Sequence, residues 1–425
     1  MRVRERFRGR SRSRFTASSD QAMMPAKRAV EEEAFSHDSF SAREASNDAR
    51  EKKKKDTRKT ETDDEGFLVR GGVGTVRARR MVDSSAIAHD GKRLRERLRR
   101  DGYAMLRGFL NARDVDEARK VALAALAESR PDAFVDPKHP TNGLLRPNAR
   151  SLGLLARQDV AARPEMQRVT ECDALFRVAE RVLFSDDDDD DDAFPDASSS
   201  ARGGARPPGR SGFKKRKRPR RAMTSAYKWL RAVAAGEFTG VHTDRVFFCG
   251  GDARLVTAWI PLGDVRMADG ALMVAAGSHA DETFAGVRRT YGASAAGKDG
   301  AQSGWLTDDA SEVLAVAKRA RSSRLDDSEK DADARTEEDA RTYEEDVIDW
   351  RTCDFRSGDV VLLALDVTHM SLANVSGESG EFGSRVCRAR VSVDTRWQPE
   401  GDDPDPRVRL WRRQREGAVE TVVLS

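Results

Sequence analysis

Six short segments carry a strand pattern in which side-chain character changes with a period of two: YKWLRAVA, TGVHTDRVFF, RLVTAWIPL, ALMVAAGSH, DVVLLALDV and RARVSVDTRW. A strand sends successive side chains to opposite faces, so such segments bury one face of a sheet. Gly, Pro and Asp turns separate them, and no helix alternates with each strand. This arrangement argues for a sandwich or barrel and against a βαβ sheet.

The half preceding these strands is more helical. KRLRERLRR reads as a short basic helix closed by Gly102, followed by YAMLRGFL as a strand. Asn111 can cap ARDVDEARKVALAALAESR, in which Val115, Ala118, Ala122, Ala125 and Leu126 form one apolar stripe before Pro131 stops the helix. A further helix is expected from about Pro164 to Phe184. The latter two helices have the character of packing elements rather than carriers of chemistry.

Charged residues make up 35% of the chain and hydrophobic ones 38%, too much charge for every segment to be packed. Residues 1–83 are expected to be disordered, because EKKKKDTRKTETDDEG cannot bury enough apolar area to offset its ordering entropy. The Arg- and Ser-rich first thirty residues are also compatible with an organellar transit peptide, although no cleavage site is evident. Residues 92–425 are expected to form one domain, with flexible insertions at about 185–221 and 310–346. The scattered Cys172, Cys249, Cys353 and Cys387 suggest neither a zinc ribbon nor a disulfide scaffold, which fits a reducing intracellular compartment, cytoplasmic or nuclear. The longest apolar run, VVLLAL, is strand-sized, so no membrane span is expected. KKRKRPRR, from Lys214 to Arg221, resembles a nuclear-localisation or nucleic-acid patch. It lacks interleaved aromatics and lies near the acidic run Asp186 to Asp192, so specific nucleic-acid reading is not expected.

Two His-x-Asp triplets occur, His242-Thr243-Asp244 and His279-Ala280-Asp281, so the triplet alone identifies nothing. On a strand, His242 and Asp244 project from one face and can reach a common cation. A third ligand has to come from a distant strand, and His369 stands at such an edge. Two imidazoles and one carboxylate are the donor set of a facial non-haem Fe(II) site. His279 ends a strand at a turn and is expected to be structural.

VTAWIPLGDVRMADGALMVAAGSH, DFRSGDVVLLALDVTHMSLANVS and RVSVDTRWQP, with DGYAMLRGFLNARDVDEAR near the start of the ordered region, resemble the phytanoyl-CoA dioxygenase family of Fe(II)/2-oxoglutarate oxygenases. The likeness spans most of Arg93 to Pro399 apart from the insertions. It implies a mainly β fold, a double-stranded β-helix of jelly-roll or cupin-like form, with helices buttressing one face. It implies metal ligation by His242, Asp244 and His369, and the cosubstrate's distal carboxylate on Arg390, where a guanidinium fork suits it better than lysine would. Ser371, Trp259 and Lys228 are the further cosubstrate-pocket residues it suggests, while Arg396 is expected to be structural. About ten residues more than the usual spacing precede Arg390, which keeps Arg385 and Arg388 in view.

The implied reaction consumes 2-oxoglutarate and O2 on Fe(II), with ascorbate as a supporting reductant, and releases succinate and CO2. Its expected outcome is hydroxylation of an unactivated C–H bond in a small organic or lipid-like substrate. Two other readings remain open: a catalytically silent jelly-roll that binds ligands, and a nucleic-acid-associated protein acting through its basic segments.

Overall fold

A computed structural model describes residues 66–153, 157–184, 221–248, 254–289, 291, 304–322, 347–378, 386–405 and 408–423. Its strands are β1 (Phe67–Gly71), β2 (Gly74–Arg80), β3 (Tyr103–Leu106), β4 (Leu144–Leu145), β5 (Ala222–Ser225), β6 (Trp229–Val233), β7 (Val256–Pro261) and β8 (Leu272–Ala275). They continue as β9 (Trp350–Thr352), β10 (Val360–Ala364), β11 (His369–Ser371), β12 (Cys387–Arg388), β13 (Arg390–Pro399), β14 (Leu410–Arg415) and β15 (Ala418–Val423).

One sheet runs β15-β14-β5-β13-β7-β10-β3, with β6 also paired to β13, and a second runs β1-β2-β9-β8-β11. Mutual bonds between His242 and His369 add the Val241–His242 edge beside β11. Eight of these segments, taken in chain order, are β6, Val241–His242, β7, β8, β9, β10, β11 and β13. They alternate between the sheets as first-eighth-third-sixth and second-seventh-fourth-fifth. That interleaving is the double-stranded β-helix.

The two faces of the larger sheet have different covers. Outside lie α1 (Gly91–Asp101), α2 (Ala112–Ser129), α3 (Pro164–Thr170) and α4 (Asp173–Leu183). They bury Leu94, Leu98, Val115, Leu123, Phe176 and Val182 against Ala258, Ile260, Val391, Val393 and Trp397 of the sheet. Phe176 meets Trp397 edge to face at 4.9 Å, a geometry worth about 0.5–1.5 kcal/mol beyond the buried area. Inside, Trp259, Val361 and Leu363 pack with Met273, Val274 and Met370 of the smaller sheet.

Local signals set the helix ends. Asp90 accepts from Arg93 N at the start of α1, and Asn111 from Arg113 N at the start of α2. Gly102 closes α1 at φ 75°, and a Cβ there would lie 2.6 Å from Val367 Cγ2, so the position excludes side chains.

Four expectations need correction. Disorder was expected through residue 83, yet Phe67–Gly71 and Gly74–Arg80 form a hairpin that pairs in parallel with β9; residues 1–65 lie outside the described residues. Its alternation is short and follows a highly charged stretch, which concealed it. The second insertion begins as structure: Val313–Ser322 is a helix, α5, whose Val313 and Ala317 are buried along with Ala310. The helix expected from Pro164 breaks after Thr170, whose hydroxyl donates back to Met166 O while Glu171 turns into buried ion pairs. The β14–β15 hairpin extends the sheet beyond the predicted strands. Residues 185–220, with most of the basic cluster, and residues 323–346 lie outside the described residues. Among the described residues, no helix is long and apolar enough to cross a membrane.

Candidate metal centre

His242, Asp244 and His369 come together as the sequence led us to expect, by a different local route. The strand ends at His242, Thr243 is extended, and Asp244 opens a 3-10 turn over Asp244–Phe247. Arg245 holds that turn in place through two bonds to Asp366, at 2.8 and 2.6 Å. Asp244 is therefore aimed by a turn, where strict strand alternation was expected.

One ligand atom from each of the three residues lies within 4.8 Å of the others, and all three side chains are buried. His242 Nδ1 lies 2.8 Å from Gly240 O, and His369 Nδ1 lies 3.0 Å from Val367 O. A carbonyl only accepts, so each Nδ1 carries a proton, and in the neutral ring this leaves the lone pair on Nε2, the tautomer a metal requires. Burial, then the neighbouring His369, pushes the His242 pKa well below its ordinary value.

Burial alone would raise the Asp244 pKa, but the Arg396 guanidinium above all, with the Thr257 hydroxyl, outweighs it and holds the carboxyl below its usual range. Arg396 Nη2 donates to Asp244 Oδ1 at 2.8 Å and Thr257 Oγ1 to Oδ2 at 2.5 Å. The Arg396 guanidinium also lies over the rings of Trp229, at 4.6 Å, and Phe248, at 5.5 Å. Eight buried side-chain polar atoms lack a hydrogen-bond partner among the described residues. Five of them, Thr243 Oγ1, Arg390 Nε, Asp394 Oδ1 and Arg396 Nε and Nη1, belong to this neighbourhood. Such a concentration marks a site arranged for polar occupants. The donor set fits a divalent metal that keeps open positions for further ligands.

Arg390 is buried on the inner face of β13, where Nη1 donates to Ser392 Oγ at 2.6 Å. No acid among the described residues stands within ion-pair distance of it. Burial first, and then the like charge of Arg231, push its pKa down to about 9. Arg388 belongs to the separate β4–β12 ladder, and Arg385 lies outside the described residues.

The other candidates have different surroundings. Trp259 faces inward and packs edge to face on Phe355 at 4.8 Å. Ser371 accepts from Thr239 N at 2.7 Å, tying β11 to the segment that leads into His242. Beside them, and not itself among the expected site residues, Asn374 donates to Val233 O and Arg388 O, bracing the approach to β13. Lys228 turns toward the helices, where Nζ donates to Ser225 O at 2.6 Å and pairs with Glu171 at 3.3 Å. Replacing Lys228 with Met is therefore expected to lower stability by about 1–3 kcal/mol while leaving the 2-oxoglutarate Kd within about twofold. Denaturant melts and calorimetric titration of the variant check both halves. His279 donates from Nε2 to Arg99 O at the end of α1 and stays outside the cluster.

The family model for phytanoyl-CoA dioxygenase (PhyH) matches residues 98–380, more than half of the chain and including all three clustered residues. The chain belongs to this family. It is a non-haem iron, 2-oxoglutarate-dependent enzyme by that membership, and its donor set fits the iron. Among solved structures, the chain is similar to the non-heme α-ketoglutarate-dependent epimerase SnoN from nogalamycin biosynthesis at 15% identity, covering 78% of this chain and 85% of that one, with a TM-score of 0.36. It is similar to the carbocyclase SnoK from the same biosynthesis at 14% identity, covering 77% and 90%, with a TM-score of 0.39. It is also similar to EctD from S. alaskensis at 15% identity, covering 78% and 83%, with a TM-score of 0.37. No curated protein matches this chain.

Sequence reasoning passed over three residues at this family site. Arg396 was expected to be structural, although it shares the strand face of Arg390 and Ser392 in RVSVDTR, and that shared face was the available signal. Thr257 reads as an ordinary strand residue. Tyr291, whose hydroxyl donates to Gly304 O, is pushed upward in pKa mainly by burial and senses Asp244; nothing in the surrounding sequence announces it.

Proposed function

We propose that the chain is an Fe(II)- and 2-oxoglutarate-dependent dioxygenase that hydroxylates an unactivated C–H bond of a small organic substrate. The observation that carries this reading is the buried cluster of two imidazoles, each with a free Nε2, and one ionised carboxylate. His242, Asp244 and His369 would hold the iron. Iron held there would supply, with 2-oxoglutarate and O2, the oxidation of a C–H bond, with succinate and CO2 as the co-products.

The chain's own residues set the conditions for that chemistry. Gly240 O and Val367 O fix the tautomer and plane of the two imidazoles. Thr257 and Arg396 hold Asp244 ionised and fix its rotation. Arg390, steadied by Ser392, offers an unneutralised guanidinium to the distal carboxylate of the cosubstrate. The apolar inner faces around Trp259, Phe355 and Leu363 keep bulk water from the reacting carbon.

Succinate formation from 2-oxoglutarate, measured with Fe(II) and ascorbate across a panel of small organic compounds, tests the reading. A wild-type chain that neither binds iron nor consumes 2-oxoglutarate would refute it. In the Mn(II)-loaded protein, Arg390→Leu is expected to weaken 2-oxoglutarate binding by about thirtyfold or more, since removing one partner of a buried charge pair costs about 2–5 kcal/mol. Arg390→Lys is expected to fall between wild type and Leu, because it keeps the charge and loses the fork. Calorimetric titration reads both values, and an unchanged Kd in the Leu variant would exclude Arg390 as the anchor.

A further inference from the structure

A cleft of about 510 Å³ opens where β6 faces the segment leading into His242. Its lining includes Arg231, Val233, Glu237, Phe238, Thr239 and Trp305. Two of these residues also contact the surroundings of the metal centre. Thr239 is bonded to Ser371, and Arg231 pairs through Nε with Asp394 at 3.2 Å and bears electrostatically on both His242 and Arg390. The cleft thus lies beside the metal centre, joined to its surroundings through Arg231 and Thr239.

Three properties define what it can receive. Arg231 gives only Nε to Asp394, and its two terminal nitrogens have no partner among the described residues. Phe238 and Trp305 stack with centroids 5.9 Å apart and planes 29° apart, while 39% of Trp305 remains exposed. A Cβ on Gly240 would stand 2.5 Å from the Trp305 ring, so the indole rests directly on the strand that delivers His242. The acid in the lining, Glu237, is occupied by Ser151 N at 2.6 Å and Ala234 N at 3.0 Å.

Glu237 keeps its charge while its oxygens accept from backbone N–H groups, so the cleft carries no excess of positive charge, and what it offers an anion is the hydrogen-bonding edge of Arg231.

We propose that the substrate enters through this cleft as a compound with a flat apolar body and one anionic group, the anion seated on Arg231 and the body on Trp305. This rests on the function proposed above and adds the substrate's chemical class. A carboxylate would meet the free edge of Arg231 as a fork, and an aromatic or other flat face would extend the Phe238–Trp305 stack.

Titrating 2-naphthoate and its neutral counterpart 2-naphthamide into the full chain, loaded with Mn(II) and saturated with 2-oxoglutarate, tests this by fluorescence. Naphthoate is expected to bind about tenfold more tightly than naphthamide, the difference a charge-assisted contact makes. In Arg231→Gln that preference should fall to parity, and in Arg231→Lys part of it should return. In Trp305→Ala both ligands should weaken together. Equal binding by the wild-type chain, or an anion preference that survives Arg231→Gln in protein that still binds 2-oxoglutarate, would overturn the proposal. A wild-type chain that binds neither Mn(II) nor 2-oxoglutarate would overturn the underlying function as well, and would show this before any naphthyl probe is added.

Discussion

Asp244→Ala is expected to lower 2-oxoglutarate-dependent succinate release by more than about a hundredfold, since loss of a residue that merely supports a metal ligand already costs about 10–100-fold. Asp244 is the single carboxylate of the cluster, and both of its oxygens are held in place, by Arg396 and by Thr257. Alanine removes the donor and also strips Arg396 of its close partner, so protein folding and iron content must be measured beside turnover. Asp244→Asn controls for that, because it keeps the shape and the contact with Thr257. His369→Ala should match Asp244→Ala in turnover while leaving the Arg396 pair untouched. If Asp244→Asn and His369→Ala, both folded, keep turnover within about tenfold of wild type, the three residues do not form the reaction centre.

The second large effect falls on stability. Arg396→Leu should destabilise the metal-free protein by about 3–5 kcal/mol, because it leaves Asp244 charged and buried without its partner. A metal ion can replace the lost positive charge. Saturating Mn(II) should therefore raise the Tm of the variant by more than it raises that of wild type. Thermal melts with and without Mn(II) read both quantities. A metal-free variant within about 1 kcal/mol of wild type would show that Trp229 and Phe248, rather than Asp244, account for the burial of Arg396.

The contrast between Asp244 and Arg396 shows where the sequence was legible. Strand alternation identified β7, β8, β10 and β13 because each exposes one face to an apolar layer, and Asn111 and Gly102 mark helix ends by bonds within a few residues of themselves. The proposed ligand set was readable because its residue types are few and their order along the chain is distinctive. Partnerships across strands were not. Arg396 meets Asp244 only because β13 and β7 align Arg396 with Thr257, a register that no local pattern encodes. Lys228, suggested for the pocket, is instead turned by the chain toward Glu171 on the helical side. The hairpin at Phe67–Arg80 was hidden by composition, since its buried positions are few and lie next to a long charged stretch.

The reciprocal backbone bonds between His242 and His369 have a consequence for the protein's life history. These residues lie on either side of the whole span from 243 to 368, so any nascent chain ending before His369 lacks a complete ligand set. Contacts between such distant segments form late, after the loop between them has been closed. A chain truncated before His369 is therefore expected to hold no iron at the proposed site, however much of the remaining sheet it forms.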